Sequence, residues 1–485
     1  MRCNITQDEP TNKKPGFHIA IMLVEIWSVE SMLDYTTEPS PRANVILTEC
    51  DSLHVQENYR QTVCGMELKL PKGTVLRRTI ASEKDVEDAG IKTYVDTEDS
   101  GVIVKKVKAS DKLATAADFK IGSRIRVYAA YTSDWKGVAS LNNAYRSPNI
   151  YTNNDLLNKY KENMDKIFDG FITQCSPASP WIIKGENLMS IFKRMSCPKR
   201  TSQTATLKDI LDPNGSWRLI KDIFELHSSN TLDKLGDVHV SPVVLSNEMT
   251  VADAFAEWSK RFGIYFRILD EVEDSKLKPK LKIGYTYSSG ATPGGTDLCI
   301  CQNADGQEPV IYFDYNVADD GLTYIDTDPY YIMIKCVVPI IKTKGGRGKF
   351  TFHLKLKEDG GYEMVDKTMI NRKGIKSKST KPYFNYSGYT IIDRIYPDIL
   401  KESDVSSKEE ELKKWAIQQY EDTIKNGLSG TLSLFGDLGL HTGEIVVLND
   451  KRHPKRNGKY IVEEVVTTLS QNGLRQNIKI PYKLT

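Results

Sequence analysis

Apolar residues recur at every second position along much of the first third of the chain. In "GSRIRVYAAY", Ile125, Val127, Ala129 and Tyr131 alternate with Arg124, Arg126 and Tyr128. That period belongs to a strand with one face buried and the other wet. "ANVILTECDSLHVQENY", "QTVCGMELKL", "GTVLRRTIA" and "SGVIVKKVKAS" carry further short runs, broken by Gly, Pro, Asp and Asn. Short strands between frequent turns predict a barrel or a sandwich. "IAIMLVEIW" (Ile19–Trp27) also reads as a strand. It is far shorter than the ~20 apolar residues that cross a bilayer. It also carries Glu25, and no small-residue cleavage site follows it, so no membrane span or signal peptide is expected.

Elsewhere the period is helical. "DLLNKYKENMDKIF" places Leu156, Tyr160, Met164, Ile167 and Phe168 on one face, predicting a helix over Asp155–Phe168. "GSWRLIKDIFELH" spaces Trp217, Ile220, Ile223 and Phe224 in the same way. In "TVADAFAEWSKRFG", Thr250 and Asp253 form a capping pair, Val251, Phe255, Trp258 and Phe262 a buried stripe, and Gly263 a left-handed stop. Two strands, "IYFRILDEV" and "LKIGYTY", follow it. Strands resume in "PVIYFDYNV", "GLTYID", "YYIMIKCVVPIIK" and "GKFTFHLKLKE". Residues 358–388 are rich in Gly, Lys and Ser and read as an exposed insertion with little core. "SSKEEELKKWAIQQYEDTIKNG" is the clearest helix. Ser407 and Glu410 suit a capping box, three glutamates sit at the positive end of the dipole, Leu412, Trp415, Ala416 and Ile424 face one side, and Gly427 ends it. No tandem repeat of fixed period is visible.

Composition narrows the class. The 485 residues carry 66 Lys and Arg against 64 Asp and Glu, a net charge of +2. A dedicated nucleic-acid binder would show a basic excess. The length suits roughly three domains. The eight cysteines form no CxxC pair, and Cys299 and Cys301 have no histidine nearby; free thiols are expected rather than zinc. "KGGRGKF" lacks the spacing and hydroxyl of a phosphate loop and reads as a hairpin turn. Asp326 and Asp328 lack the glycine and glutamate of a calcium loop. The seven histidines form no HExxH or HxH pair, and no GxSxG occurs. No catalytic residue, cofactor or metal is assigned.

Two basic stretches remain. One holds Lys451, Arg452, Lys455, Arg456 and Lys459; the other holds Arg372, Lys373, Lys376, Lys378 and Lys381. Neither interleaves aromatics that would stack bases. The plain reading is a hairpin tip and a solvated loop. The functional reading is contact with an acidic partner or a passing phosphate backbone.

The order of parts resembles the tail hub proteins of contractile-tailed phages, of the Mu and P2 late-control type, and the related hub half of type VI secretion spikes. The residues carrying it are "LKKWAIQQYEDTIKNGLSGTLSLFG", then "LGLHTGEIVVLND" with Gly443 and Val446, then "RNGKYIVEEVVTTLSQNGLRQNIKI" with Gly458, Tyr460, Val462 and Gly473. "FKIGSRIRVYAAY" with "IFDGFITQCSPASPWIIKGEN" resembles the family's first barrel, and "TVADAFAEWSKRFGIYFRI" the domain between barrels. The segment near Leu156 and the insertion near Lys373 match nothing in that pattern.

The resemblance implies a mainly β, α+β fold with two similar β-barrels, a small inserted α/β domain and a few amphipathic helices. Its expected divisions are 1–202 (first barrel with a helical insertion), 203–292 (α/β domain), 293–400 (connecting strands and part of the second barrel, with the basic insertion) and 401–485 (helix and closing strands). It implies a homotrimer with six barrels in a ring, joining a tail tube protein to a separate spike chain beside other baseplate proteins. DNA would pass transiently through its channel. The implied location is the virion tail, assembled in the bacterial host cytoplasm, with a structural rather than enzymatic role. Alternatives are a hub of a type VI-like or other contractile injection system and a tail-associated cell-wall hydrolase. A carbohydrate-binding adhesin is disfavoured, because Trp27, Trp217, Trp258 and Trp415 sit at periodic, core-like positions.

Overall fold

The computed structural model describes residues 19–28, 43, 45–71, 75–78, 93–97, 103–107, 112–113, 119–132, 161, 164–176, 180–202, 205–220, 223–240, 243–273, 276–286, 298–300, 308–324, 329–342, 346–371, 385–424 and 427–484. The fold is α+β and mainly β.

The first barrel uses strands β1 (Ile19–Trp27), β2 (Val45–Leu47), β3 (Ser52–Asn58), β4 (Gly65–Leu70), β5 (Arg124–Thr132), β6 (Asp165–Ser176) and β7 (Trp181–Asn187). They pair in the order β3-β4-β7-β6-β5-β1-β2. Strands at opposite ends of that order share one core: Val45 and Leu47 of β2 pack with Leu53 and Val55 of β3. The sheet therefore curls into a barrel. Two expectations change here. Asp165–Phe168 is strand rather than helix, with Ile167 and Phe168 in the barrel core; Lys161 is helical, and residues 155–160 and 162–163 lie outside the described set. The polar face of β5 is not wet either. Arg124 and Arg126 are buried, and both reach Asp169 on β6, at 2.9 and 2.8 Å. Those two guanidiniums, working against the burial penalty, hold the Asp169 carboxyl well below its usual range.

The α/β unit follows. Helix α1 (Val251–Phe262) has the expected box: the Thr250 side chain accepts from the Asp253 amide, and Asp253 reaches back to Thr250. Gly263 stops it at φ 70°. Val251, Phe255, Trp258 and Phe262 are all buried, packing on the hairpin of β8 (Ile264–Glu273) and β9 (Lys276–Tyr285). The expected helix over Gly215–His227 does not form. That segment runs as turns, with residues 221–222 outside the described set. It takes its backbone partners from β9 instead, through His227 N to Leu281 O and Leu281 N to Glu225 O. Ile220 and Phe224 are buried there, and Ile223 N closes a turn on Ile220 O at 3.2 Å.

The second barrel begins with β10 (Val310–Tyr312), β11 (Val317–Asp320) and β12 (Thr323–Tyr324). It is then interrupted by β13 (Ile332–Ile341), β14 (Arg347–Leu356), β15 (Tyr362–Asn371), β16 (Thr390–Ile395) and α2 (Glu409–Ile424). The first four form a sheet ordered β15-β14-β13-β16, completed by Leu400–Lys401 beside β13. Leu412, Trp415, Ala416 and Tyr420 of α2 pack on it. The stretch expected to be an exposed insertion with little core thus contains β15, with Tyr362, Met364 and Met369 against that core. Residues 372–384 lie outside the described set. Helix α2 starts two residues after Ser407, whose hydroxyl donates back to the Asp404 carbonyl, so the expected capping box is not made. Gly427 permits close approach: a Cβ there would stand 2.6 Å from the Ile480 carbonyl oxygen. Beyond it lie β17 (Leu428–Ser429), β18 (Leu432–Phe435), β19 (Ile445–Asn449), β20 (Gly458–Ile461), β21 (Glu464–Ser470), β22 (Gly473–Lys479) and β23 (Tyr482–Lys483). Sheets β11-β18-β22-β21 and β10-β19-β20-β23 enclose one core of Ile311, Leu434, Val446, Tyr460 and Ile478 among others.

The two barrels repeat one another in register. In the first, Ser123 N bonds Lys120 O around Gly122 at φ 90°, and the pair Gly122 N to Ile172 O and Ile172 N to Ser123 O ties the turn to β6. In the second, Glu444 N bonds His441 O around Gly443 at φ 76°, tied by Gly443 N to Val462 O and Val462 N to Glu444 O. A positive φ at the third turn residue is what glycine supplies. The ladders continue alike. Ile125 faces Gly170 where Val446 faces Tyr460; Cys175 faces Ile183 where Val465 faces Ile478; Ile183 faces Leu68 where Ile478 faces Leu432. Strands β11–β12, β17–β18, β19, β20–β21 and β22 therefore stand for β3, β4, β5, β6 and β7.

Candidate functional site

The barrels meet edge to edge. Strand β21 pairs with β3 from Glu464 opposite Asn58 to Leu469 opposite Leu53, making one 13-stranded sheet. Arg60 clamps the junction. The Asn58 side chain accepts from its amide at 2.9 Å and shapes the turn that aims it. Its guanidinium reaches Asp422 of α2 at 2.7 Å and Glu463 at 2.9 Å, and donates to the hydroxyls of Tyr265 and Tyr482. Its centre lies 5.0 Å from the Tyr265 and Tyr482 ring centroids and 5.7 Å from that of Tyr59. Burial disfavours the charge on Arg60, and Asp422 more than offsets it. One side chain thus links the first barrel, the α/β unit, α2 and the second barrel.

A second ion pair crosses the seam. His441, in the glycine corner of the second barrel, lies 3.3 Å from Glu57 of β3. Burial works against charging the imidazole; Glu57, then Glu444 and Asp165, outweigh it and push its pKa up to about 9. Nearby, Glu464 accepts from Asn58 at 3.1 Å and meets Lys479 at 2.9 Å.

The first basic stretch is the tip of the β19–β20 hairpin. Asp450 builds it: one carboxylate oxygen accepts from the amides of Arg452 at 2.8 Å and His453 at 2.9 Å. The five cations divide. Arg456 is 2.5 Å from Asp320, 3.8 Å from Asp450 and 6.0 Å from the Phe313 ring centroid, so it fastens the tip to β11 and the segment before it. Lys459 meets Glu308 at 2.7 Å. Lys451, Arg452 and Lys455 are exposed, with Arg452 only 3.9 Å from Asp314 and its side chain 84% accessible. Arg372, Lys373 and Lys376 lie outside the described residues.

Sequence reasoning missed Arg60, Glu57, His441, Asp422 and Glu463. Their partners lie hundreds of residues away, so no spacing announces them. Among the described residues, six cysteines are free thiols and no group of three metal-ligating side chains gathers. No helix among them is long and apolar enough to cross a membrane.

No family model matches the chain, and no curated protein matches it. Among solved structures, the tail protein from Neisseria meningitidis MC58 is similar at 9% identity and a TM-score of 0.42, over 95% of this chain and 96% of that one. The 43 kDa tail protein of prophage MuSo2 from Shewanella oneidensis is similar at 9% identity and 0.41, over 95% and 97%. A Francisella PdpA–VgrG complex chain is similar at 10% identity and 0.42, over 97% of this chain and 53% of that one.

Proposed function

We propose that the protein is a structural tail hub. Three copies close into a ring of six barrels that joins a sixfold tail tube to a threefold spike and leaves a channel for DNA. The observation that supports this reading is the repeat: one chain holds two barrels with the same glycine corner and the same ladder register, already joined edge to edge. A unit carrying two quasi-equivalent modules turns threefold symmetry into near-sixfold symmetry, and a closed ring leaves no sheet edge for further growth. Contacts of the obligate size class, above roughly 2,000 Å², are expected between copies. Lys451, Arg452 and Lys455 suit contact with an acidic neighbouring baseplate protein. A hub of another contractile injection system has the same geometry and remains the alternative.

Light scattering with low-resolution imaging of the full chain tests this. A trimeric mass and a threefold ring with a central hole are expected; a monomer at all concentrations, or a particle without a hole, rejects it. Reversing Lys451, Arg452 and Lys455 to glutamate should leave the ring intact and impair joining of tails in particle assembly.

A further inference from the structure

The internal seam supplies a template for the contact between copies. Within the chain, β21 of the second barrel pairs with β3 of the first, and Val465 faces Glu57. In the first barrel the place of Val465 belongs to Cys175, because both face isoleucines that in turn face Leu68 and Leu432. In the second barrel the place of β3 belongs to β11–β12. Asp320 faces Leu432 as Leu53 faces Leu68, and the register continues to Tyr324 opposite Leu428, which puts Tyr324 in the place of Glu57.

Both counterparts lie on edges that no second strand covers among the described residues. Among the described residues, β5 pairs with β6 from Asp165 to Phe171, and β6 continues to Ser176. Strand β11 ends the 13-stranded order, and β12 pairs with β17 alone among the described residues. Tyr324 is 57% exposed. An exposed edge carries unpaired backbone donors and acceptors and accepts another strand. The seam shows which strand geometry satisfies an edge of this kind.

We propose that the β6 edge at Cys175 takes the β12 edge at Tyr324 of a second copy, antiparallel, in the register that joins Val465 to Glu57 within the chain. The contact rests on the ring reading and names the edges that close it. Each copy offers one of each edge, so the contact is heterologous and closes only as a ring.

The native thiol makes this testable. Side chains directly opposite on antiparallel strands have Cβ atoms about 4.5–5.5 Å apart, close enough for a disulfide after small adjustment. The full chain carrying Tyr324→Cys is oxidised gently, run on a denaturing gel and weighed in solution. Covalent species up to trimer are expected, and they should vanish when Cys175→Ser is added. A native trimer that never forms the link rejects these edges and leaves the ring reading standing. Links that stop at dimers support the edges and reject threefold closure. A chain that is monomeric and unlinked at high concentration rejects both.

Discussion

The two barrels share a corner and a ladder yet differ in what hangs from them. In the first, β3 and β4 are joined by the short turn Tyr59–Cys64. In the second, the equivalent strands β12 and β17 are separated by the five-stranded sheet and α2. The shared part is what backbone pairing and a left-handed glycine fix; the divergent part is a connection that the ladder does not constrain. The insertion is not left loose. Its helix supplies Asp422, and the corresponding turn of the first barrel supplies Arg60, so the two unlike connections hold each other.

The strongest way to break that comparison is Arg60→Ala. It leaves Asp422 and Glu463 buried without their cation, with side chains only 9% and 8% accessible. Removing one partner of a buried ion pair costs about 3–5 kcal/mol. Urea unfolding should show a loss of that size, with the second barrel and the insertion melting apart from the first. A single transition with a loss below about 1 kcal/mol would mean the seam strands alone unite the halves.

The glycine corners sharpen it. Gly122→Ala forces a left-handed alanine, at a cost of about 1–2 kcal/mol. Gly443→Ala carries the same backbone strain, and its Cβ would also collide with the Arg267 guanidinium, which donates to the Thr442 carbonyl. The second substitution should therefore be the costlier in paired thermal melts. Equal losses would show that Arg267 moves aside freely.

The seam should also titrate. His441 is charged more readily folded, at about 9, than at its ordinary 6.5. Its contribution is fully present below about pH 6.5 and is lost as the pH rises through 9. With the side chain a third accessible, the expected size is about 1 kcal/mol. Stability against pH should flatten over that window in His441→Gln.

Much of this was legible in sequence because it is local. The Thr250–Asp253 box, Gly263 and the stripe of α1 each depend on neighbours within a turn or two, as do the closing strands around Gly443 and Gly458. The repeat was not legible because its period is broken by insertions of different length, and only backbone register exposes it. "GSRIRV" and "GEIVVL" share a glycine and alternating apolar positions, a signal too short to stand alone. The helix expected at Trp217 failed for a related reason: apolar spacing reports burial, and a distant strand, β9, supplied the hydrogen bonds a helix would have made. Arg124 and Arg126 read as a wet face because Asp169, which neutralises them, belongs to another strand.

The smallest expected effect separates the cations of the β19–β20 tip. Lys455→Glu changes an exposed residue and should alter stability by less than about 0.5 kcal/mol. Arg456→Glu removes the partner of Asp320 and sets a second carboxylate beside Asp450, whose side chain is 2% accessible; a loss of about 1 kcal/mol is expected. Urea titrations of the two variants compare them directly. Matching losses would mean that the tip is held by Asp450 and the Pro454–Arg456 turn alone. Arg456 would then be no more tied to its own chain than exposed Lys455 is.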